Sequence, residues 1–236
     1  VYWVRLGKGS APVSHADYGV DWETMRTIVV DRAYAYDYRD AVVVDVGAHK
    51  GCFGAWALEQ GARAVVSYEP EQVNFALLAE CAASYRAEGH DWSVHRAAVG
   101  GVTGSADLHV MGASWGHALA PSAGADADEL GLQRVPVVAM GDVLAEAARK
   151  AAGRELVVKV NAEGAECSIV LETPLSAWKR VTEFLVEVHS WAPCTLDELN
   201  GYLAGAGLDP DPSGTVDWVA RLSRTGRSRP VAAEPE

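Results

Sequence analysis

The sequence predicts an α/β protein built on a mostly parallel, doubly wound sheet, with helices on both faces and an N-terminal cap. Three observations carry this. Short β-branched runs alternate with stretches of helical period between residues 41 and 222, as strands joined by helical crossovers do. The first run ends in a glycine-bearing turn, Asp45-Val46-Gly47-Ala48-His49-Lys50-Gly51, at the edge where an open parallel sheet holds its ligand. No internal repeat and no proline- or serine-rich linker interrupts the middle of the chain, so one domain is simpler than two.

Residues 1–40 precede the first run and are expected to form the cap, with Trp22 to Tyr34 as its helix. Ala41-Val-Val-Val-Asp-Val46 reads as a buried strand. Cys52 to Gln60 follows as a helix with Phe53, Trp56 and Ala57 on one face, and Ala64 to Glu69 as a second, parallel strand. Glu71 to Glu88 is the clearest helix, with Val73, Leu77, Leu78, Cys81 and Tyr85 in one apolar stripe. Trp92 to Ala97 is a third strand. Ala106 to Met111 and Arg134 to Val138 are β segments around a glycine-rich loop expected to lie over a ligand.

Asp142 to about Ala152 reads as a helix, Leu156 to Asn161 as the fourth core strand, Ala165 to Leu171 as a helix and Glu183 to His189 as the fifth core strand. Thr195 and Glu198 have capping-box spacing for a helix from Leu196 to Ala206, which Gly205 and Gly207 end. Val216 to Leu222 is the last strand, and residues 223–236 are expected to be a disordered tail. Arg221, Arg224, Arg227 and Arg229 are read as its solvated charges.

The chain of 236 residues is 49% apolar and 22% charged, which excludes collagen, coiled coil and wholesale disorder. Its 20 Lys and Arg against 32 Asp and Glu leave a formal charge of −12. A surface this acidic repels phosphates, so no nucleic-acid partner is expected. Leu108 to Ala125 is the longest stretch free of Asp, Glu, Lys and Arg, but its histidines, glycines and Pro121 bar it from a membrane. The opening Val1-Tyr-Trp-Val-Arg5 lacks a charged-then-apolar leader, and a cytoplasmic location is expected. Cys52, Cys81, Cys167 and Cys194 are widely spaced with no CxxC, so neither structural zinc nor a disulfide framework is expected.

Counting from Gly47, the second and third glycines of a GxGxxG fingerprint are replaced by His49 and Cys52, which disfavours NAD and FAD. A phosphate loop of the form GxxxxGK fails as well, because Cys52 stands five places after Gly47. What remains is a tight turn whose following helix points its N-terminal amides at a ligand. Glu69, 18 residues after Gly51 at the end of the second strand, can accept both hydroxyls of a ribose. It can equally begin the next helix, where a carboxylate is favoured. Taken with the turn, it points to a nucleoside without a pyrophosphate.

The motifs Val44-Asp-Val-Gly-Ala-His-Lys-Gly51, Tyr68-Glu-Pro70, Lys159-Val-Asn-Ala-Glu-Gly-Ala-Glu166 and Val186-Glu-Val-His189 together resemble the FkbM-type S-adenosylmethionine-dependent methyltransferases, over residues 42 to 219. The resemblance implies a Rossmann-like methyltransferase fold over residues 41–222 and S-adenosylmethionine as cofactor. It also implies methylation of a hydroxyl on a small molecule, often a sugar or another natural-product scaffold such as an antibiotic. By the family's pattern Asp45, Gly47 and Gly51 line the methionine part, with Ala48 and His49 in the same turn. Glu69, followed by Pro70, takes the ribose, and Arg96 and Ala97 lie near the adenine. Asn161 stands where the family has aspartate, so a possible base or metal ligand is lost while a hydrogen-bonding side chain is kept. No metal site is expected.

Methyl transfer from a sulfonium is an in-line displacement, in which the protein holds the acceptor oxygen about 3 Å from the methyl and removes its proton. His189 at the end of the fifth strand is the first candidate base and Glu163 the second, with Asn161 beside them. Either could be structural, His189 as a hydrogen-bonded histidine and Glu163 as a cap on the following helix. His49 and Lys50 are read as exposed turn residues, with substrate contact the alternative. The loop Gly112 to His117 has the glycines and aromatic of a mobile lid, so Trp115 fluorescence should change on ligand binding. The expected partner is a hydroxylated small-molecule acceptor, and the expected state a monomer or small homo-oligomer. The competing readings are a catalytically degenerate scaffold, suggested by Asn161, and an NAD-dependent oxidoreductase, which the turn disfavours.

Overall fold

The computed structural model describes residues 2–6, 9–13, 17–119, 129–212, 216 and 218–224. Two strands, β1 (Tyr2–Leu6) and β2 (Gly9–Val13), pair antiparallel, and helix α1 (Tyr18–Met25) runs on into a π-type turn at Arg26–Val30. The cap helix thus begins and ends earlier than the sequence suggests, and Tyr34 lies beyond it. The main body comprises β3 (Val42–Val46), α2 (Cys52–Glu59), β4 (Ala64–Tyr68), α3 (Gln72–Ala87) and β5 (Asp91–His95). Then come three strands of a small sheet: β6 (Ala98–Gly100), β7 (Gly104–Met111) and β8 (Glu129–Ala139). The chain continues through α4 (Met140–Ala151), β9 (Leu156–Val160), α5 (Glu166–Leu171), α6 (Leu175–Trp178) and β10 (Glu183–Glu187). It closes with α7 (Leu196–Ala204), β11 (Leu208–Pro210) and β12 (Val219–Arg224).

Seven strands form the main sheet in the order β11-β12-β10-β9-β3-β4-β5. The five from β10 to β5 are parallel, and β12 joins β10 antiparallel. From β3 the chain first adds β4 and β5 on one side, then returns to lay β9 on the other. The strand order therefore reverses between β3 and β9, which opens a crevice at their carboxyl ends. Strands β3, β4 and β9 are buried along their full length, as a sheet covered on both faces requires. Val42, Val44 and Val46 face a core shared with Met140, Leu144, Ile169 and Trp178, while Val43 faces one shared with Phe53, Trp56, Leu78 and Tyr85.

Several expectations are corrected. Helix α2 is buried from Cys52 to Leu58 rather than on one face, because Met25, Ile28 and Tyr34 of the cap cover the side turned away from the sheet. Val73 is 65% exposed. The inward position of that helical turn belongs to Asn74, whose amide donates to the Ser114 carbonyl at 2.8 Å, so a polar residue interrupts the apolar stripe. Arg221 and Arg224 are no solvated tail. Arg221 is buried against Glu183, and Arg224 donates to the carbonyls of Trp178, Val181 and Ala206. The last strand runs to Arg224, two residues into the expected tail, whose remainder from residue 225 lies outside the described residues, as do Arg227 and Arg229.

Cys167 and Cys194 form a disulfide. Their spacing of 27 hides it. The segments that follow β9 and β10 start from adjacent parallel strands, and this brings the two α-carbons within 5.7 Å. Cys52 and Cys81 are free and buried. Among the described residues, no helix is long and apolar enough to cross a membrane.

Candidate active site

The crevice at the carboxyl ends of the strands deepens into a cavity of about 660 Å³, within the usual range for a small-molecule site. The turn after β3 forms its floor. Gly47 has φ +71°, and a Cβ there would lie 1.7 Å from the Asn161 carbonyl oxygen, so only glycine lets the turn pass this close to the end of β9. The Gly47 and Ala48 amides donate to the Tyr68 carbonyl at 3.1 and 3.0 Å. Gly47, Ala48 and His49 line the cavity, whereas Asp45 and Gly51 lie behind it. Asp45 is fully buried, accepting from Ser67 Oγ at 3.2 Å and from Lys159 Nζ at 3.1 Å. The same ammonium donates to the Gly47 carbonyl at 2.7 Å. The aspartate thus shapes the turn through Lys159 rather than facing a ligand.

Glu69 and Pro70 at the end of β4 line the same cavity. Glu69 is buried, and its two oxygens accept the backbone N–H groups of His49 at 2.8 Å and Glu71 at 2.9 Å. Burial pushes its carboxyl up to about 8, against the pull of those two donors. Helix α3 is capped instead by Glu71, which accepts the Asn74 N–H at 2.7 Å. The helix-start alternative therefore falls to the next glutamate, and Glu69 is left as a buried carboxyl group inside a pocket. Of the pair expected near an adenine, Ala97 lines the cavity and Arg96 is exposed outside it. The polar end of Arg96 turns to water, and the apolar wall comes from Ala97, Ala98 and Val99.

On the opposite wall stands a cluster around His189, whose side chain is 8% exposed. Nδ1 lies 3.1 Å from Glu166 Oε1, and Nε2 lies 3.3 Å from Glu163 Oε1 and 3.6 Å from Glu187 Oε1. Burial alone lowers the ring's proton affinity, but the hydrogen bonds and charges of Glu163 and Glu166 outweigh it and raise the pKa to about 10. His189 is therefore an imidazolium at neutral pH, which bars it from serving as the resting base. Glu166 also accepts the Ala162 and Gly164 N–H groups, at 2.9 and 3.0 Å. The loop before α5 is thus closed by Glu166 and not by Glu163. Asn161 Nδ2 donates to Glu187 Oε2 at 2.9 Å, while Asn161 Oδ1 is buried without a hydrogen-bond partner. The Tyr34 hydroxyl also donates to Glu187 Oε2, at 3.4 Å.

The loop Gly112 to His117 lines the cavity through Ala113 to His117. It is anchored: Ser114 Oγ is 2.9 Å from His49 Nε2 and 3.1 Å from Lys50 Nζ. Lys50 is 2% exposed, with Asp21 and Asp17 as its ion-pair partners at 2.7 and 3.1 Å. The exposed-turn reading thus fails for Lys50, which the cap has covered. Burial first, then the charges of Lys50, His117 and Lys159, hold His49 well below the usual histidine range. A neutral His49 ring can accept the Ser114 hydroxyl while Lys50 donates to the same oxygen. Trp115 is half-exposed at the rim.

Among the solved structures similar to this chain are three methyltransferases. Methyltransferase FkbM from Methylobacillus flagellatus is 16% identical, with a TM-score of 0.53 over 83% of this chain and 46% of its own. A TehB-like SAM-dependent methyltransferase from Corynebacterium glutamicum is 12% identical, with a TM-score of 0.41 over 89% of this chain and 98% of its own. A ribosomal protein L11 methylase from Lactobacillus delbrueckii subsp. bulgaricus is 13% identical, with a TM-score of 0.40 over 89% and 78%. Of the three, the first alone exceeds 0.5, and at its identity it establishes the fold: a Rossmann-like methyltransferase fold. The chain spans about half the length of that protein. No protein-family model matches the chain, and no curated protein does.

Glu187, Tyr34, Ser114 and Lys159, for which the sequence suggested no role, also line the cavity. Glu187 carried a signal, because alternation along a strand puts residues 187 and 189 on the same side of the sheet. The partners of Lys50 carried none, since they come from elements 29 and 64 positions away in the chain.

Proposed function

We propose that the chain is an S-adenosylmethionine-dependent methyltransferase of the FkbM type that methylates a hydroxyl of a small molecule, with residues 41–222 as its catalytic domain. The observation that carries this reading is the meeting, in one cavity, of a buried carboxylate at the end of β4 and an unpartnered amide oxygen at the end of β9, on either side of the glycine turn. The residues fit the cofactor. Glu69 can accept ribose hydroxyls, and the orphaned Asn161 Oδ1 can accept an ammonium N–H from the methionine part. Ala97 and Val99 give an apolar seat for a base. When bound, the cofactor supplies a methyl group made electrophilic by its sulfonium.

The chain's own residues supply the rest. Tyr34, Phe53, Trp191 and Trp218 line the acceptor side together with Glu163 and Glu187, a mixture of aromatic faces and hydrogen-bond acceptors that suits a hydroxylated ring. The anchored loop and the cap form part of the cavity's wall, through Ala113 to His117 and through Thr24, Thr27 and Ile28. A carboxylate-rich wall also disfavours phosphorylated acceptors.

Calorimetric titration with S-adenosylhomocysteine tests the reading, with NADH as control. We expect micromolar binding to the native protein, at least tenfold weaker binding to Glu69→Ala, and no binding of NADH. Absence of S-adenosylhomocysteine binding by the folded native protein would overturn the cofactor assignment. Given binding, a panel of hydroxylated sugars and polyketides identifies the acceptor.

A further inference from the structure

Deprotonating an acceptor hydroxyl requires a lone pair that the protein has not already engaged. His189, Glu163 and Glu187 line the cavity, Glu166 is buried behind them, and their contacts separate the four as candidates. Both ring nitrogens of His189 face carboxylates, Nδ1 toward Glu166 and Nε2 toward Glu163, so both must carry protons and neither can accept one. Glu166 is consumed by two backbone N–H groups and the imidazolium. Glu163 is the nearer partner of Nε2 and stands on a left-handed turn at φ +49°. Glu187 ends a core strand. Its Oε2 is gripped by the Asn161 amide and the Tyr34 hydroxyl, and its Oε1 has only the longer 3.6 Å approach of His189.

We propose that Glu187 takes the proton of the acceptor hydroxyl, and that Asn161 is the positioning residue that keeps Glu187 an ionised carboxylate. The proposal rests on the methyltransferase reading. As the acceptor O–H bond breaks, its proton joins Glu187 Oε1. The oxygen's electron pair forms the new bond to the methyl carbon, and the pair of the severed S–CH3 bond remains on sulfur. The amide at position 161 then has a purpose. An aspartate there would set two carboxylates 2.9 Å apart, and one of them would have to hold a proton. The asparagine donates a hydrogen bond instead, so its presence adapts the base and does not mark a decayed enzyme.

The groups facing Glu187 are Tyr34 from the cap side, Lys159 and Asn161 from the β9 side, Glu163 from the following turn and His189 from its own segment. Burial raises the Glu187 carboxyl above the ordinary range. His189, Lys159 and Tyr34 restrain that rise, and Glu163 adds to it. Such a group is a stronger base than a free glutamate.

The test is nuclear magnetic resonance on the isotopically labelled 236-residue chain, with the Glu187 carboxyl signal identified by its loss in Glu187→Gln. At pH 7.5 both His189 ring nitrogens should be protonated and the Glu187 carboxyl ionised. Asn161→Asp should raise the proton affinity at position 187 at least tenfold. If that variant does not fold, Asn161→Ala removes the same donor and should also raise the midpoint. A neutral His189 ring, a protonated Glu187 at pH 7.5, or an unmoved midpoint in the folded variant would overturn the proposal. With an acceptor from the panel above, kcat should rise with pH at the midpoint read for Glu187, and Glu187→Gln should lose that limb and at least a hundredfold in kcat. Native protein that binds S-adenosylhomocysteine but fails the titration loses only the base. Native protein that does not bind it loses the methyltransferase reading, and the base with it.

Discussion

Glu69 joins a covalent position that the sequence reveals to a chemical state that it does not. The position could be read because an acidic residue stands after the second strand at a set distance from a glycine turn. Its protonation depends on burial and on two amide donors that only the folded backbone brings to it. The consequence for stability can be worked out in sign. Free glutamate titrates near 4.5 and folded Glu69 near 8, so between those values the native state binds more protons than the unfolded state. Stability from this group is complete below about 4.5 and is lost as pH rises through about 8. Glu69→Gln should therefore flatten the decline in unfolding free energy between pH 5 and pH 8, by a few kcal/mol across the window. Urea melts of both proteins at four pH values measure it, and parallel curves would contradict the buried, protonated carboxyl. Asp45 is the opposite case. Its motif marks it as important, but the pattern cannot tell a ligand contact from the buried partner of Lys159 that it turns out to be.

Strands and long helices were the legible elements, because hydrophobic period and β-branching are local properties. The core strands and helix α3 lie within a residue or two of their expected bounds, and the Thr195 and Glu198 capping box forms as the spacing implied. Short α6 and β11 were not foreseen, as four and three residues carry no period. Cys167–Cys194 escaped for a different reason: it joins two segments that only the parallel pairing of β9 and β10 makes neighbours. It ties α5, which carries Glu166, to the loop beyond His189. Closing a loop of 27 residues is worth roughly 3 to 4 kcal/mol on the chain-entropy account. Reductant, or the Cys167→Ser and Cys194→Ser pair, should then lower the melting temperature by roughly 10 °C in a chain of this size. An unchanged melt under full reduction, checked by thiol titration, would mean that the loop is constrained without the bond.

One buried ammonium links the cap, the sheet and the covering loop. Lys50 follows β3 in the turn, Asp17 and Asp21 stand at the start of the cap helix, and Ser114 belongs to the loop over the cavity. Desolvating a lysine is costly, and here two carboxylates and a hydroxyl offset that cost. Lys50→Met would break the buried Lys50–Asp21 pair, a change that costs about 3–5 kcal/mol where buried pairs are broken. The loss should be uneven. The sheet keeps its own hydrogen bonds and both apolar cores, so hydrogen exchange should quicken in residues 17–30 and 112–119 while β3, β4 and β9 stay protected. Adding Asp21→Asn to Lys50→Met removes the buried carboxylate's charge and should restore part of the stability without restoring protection of the loop. Uniform acceleration across the sheet would mean that Lys50 supports the core itself. Unchanged exchange would mean that the cap and the loop hold their places over the cavity by packing alone.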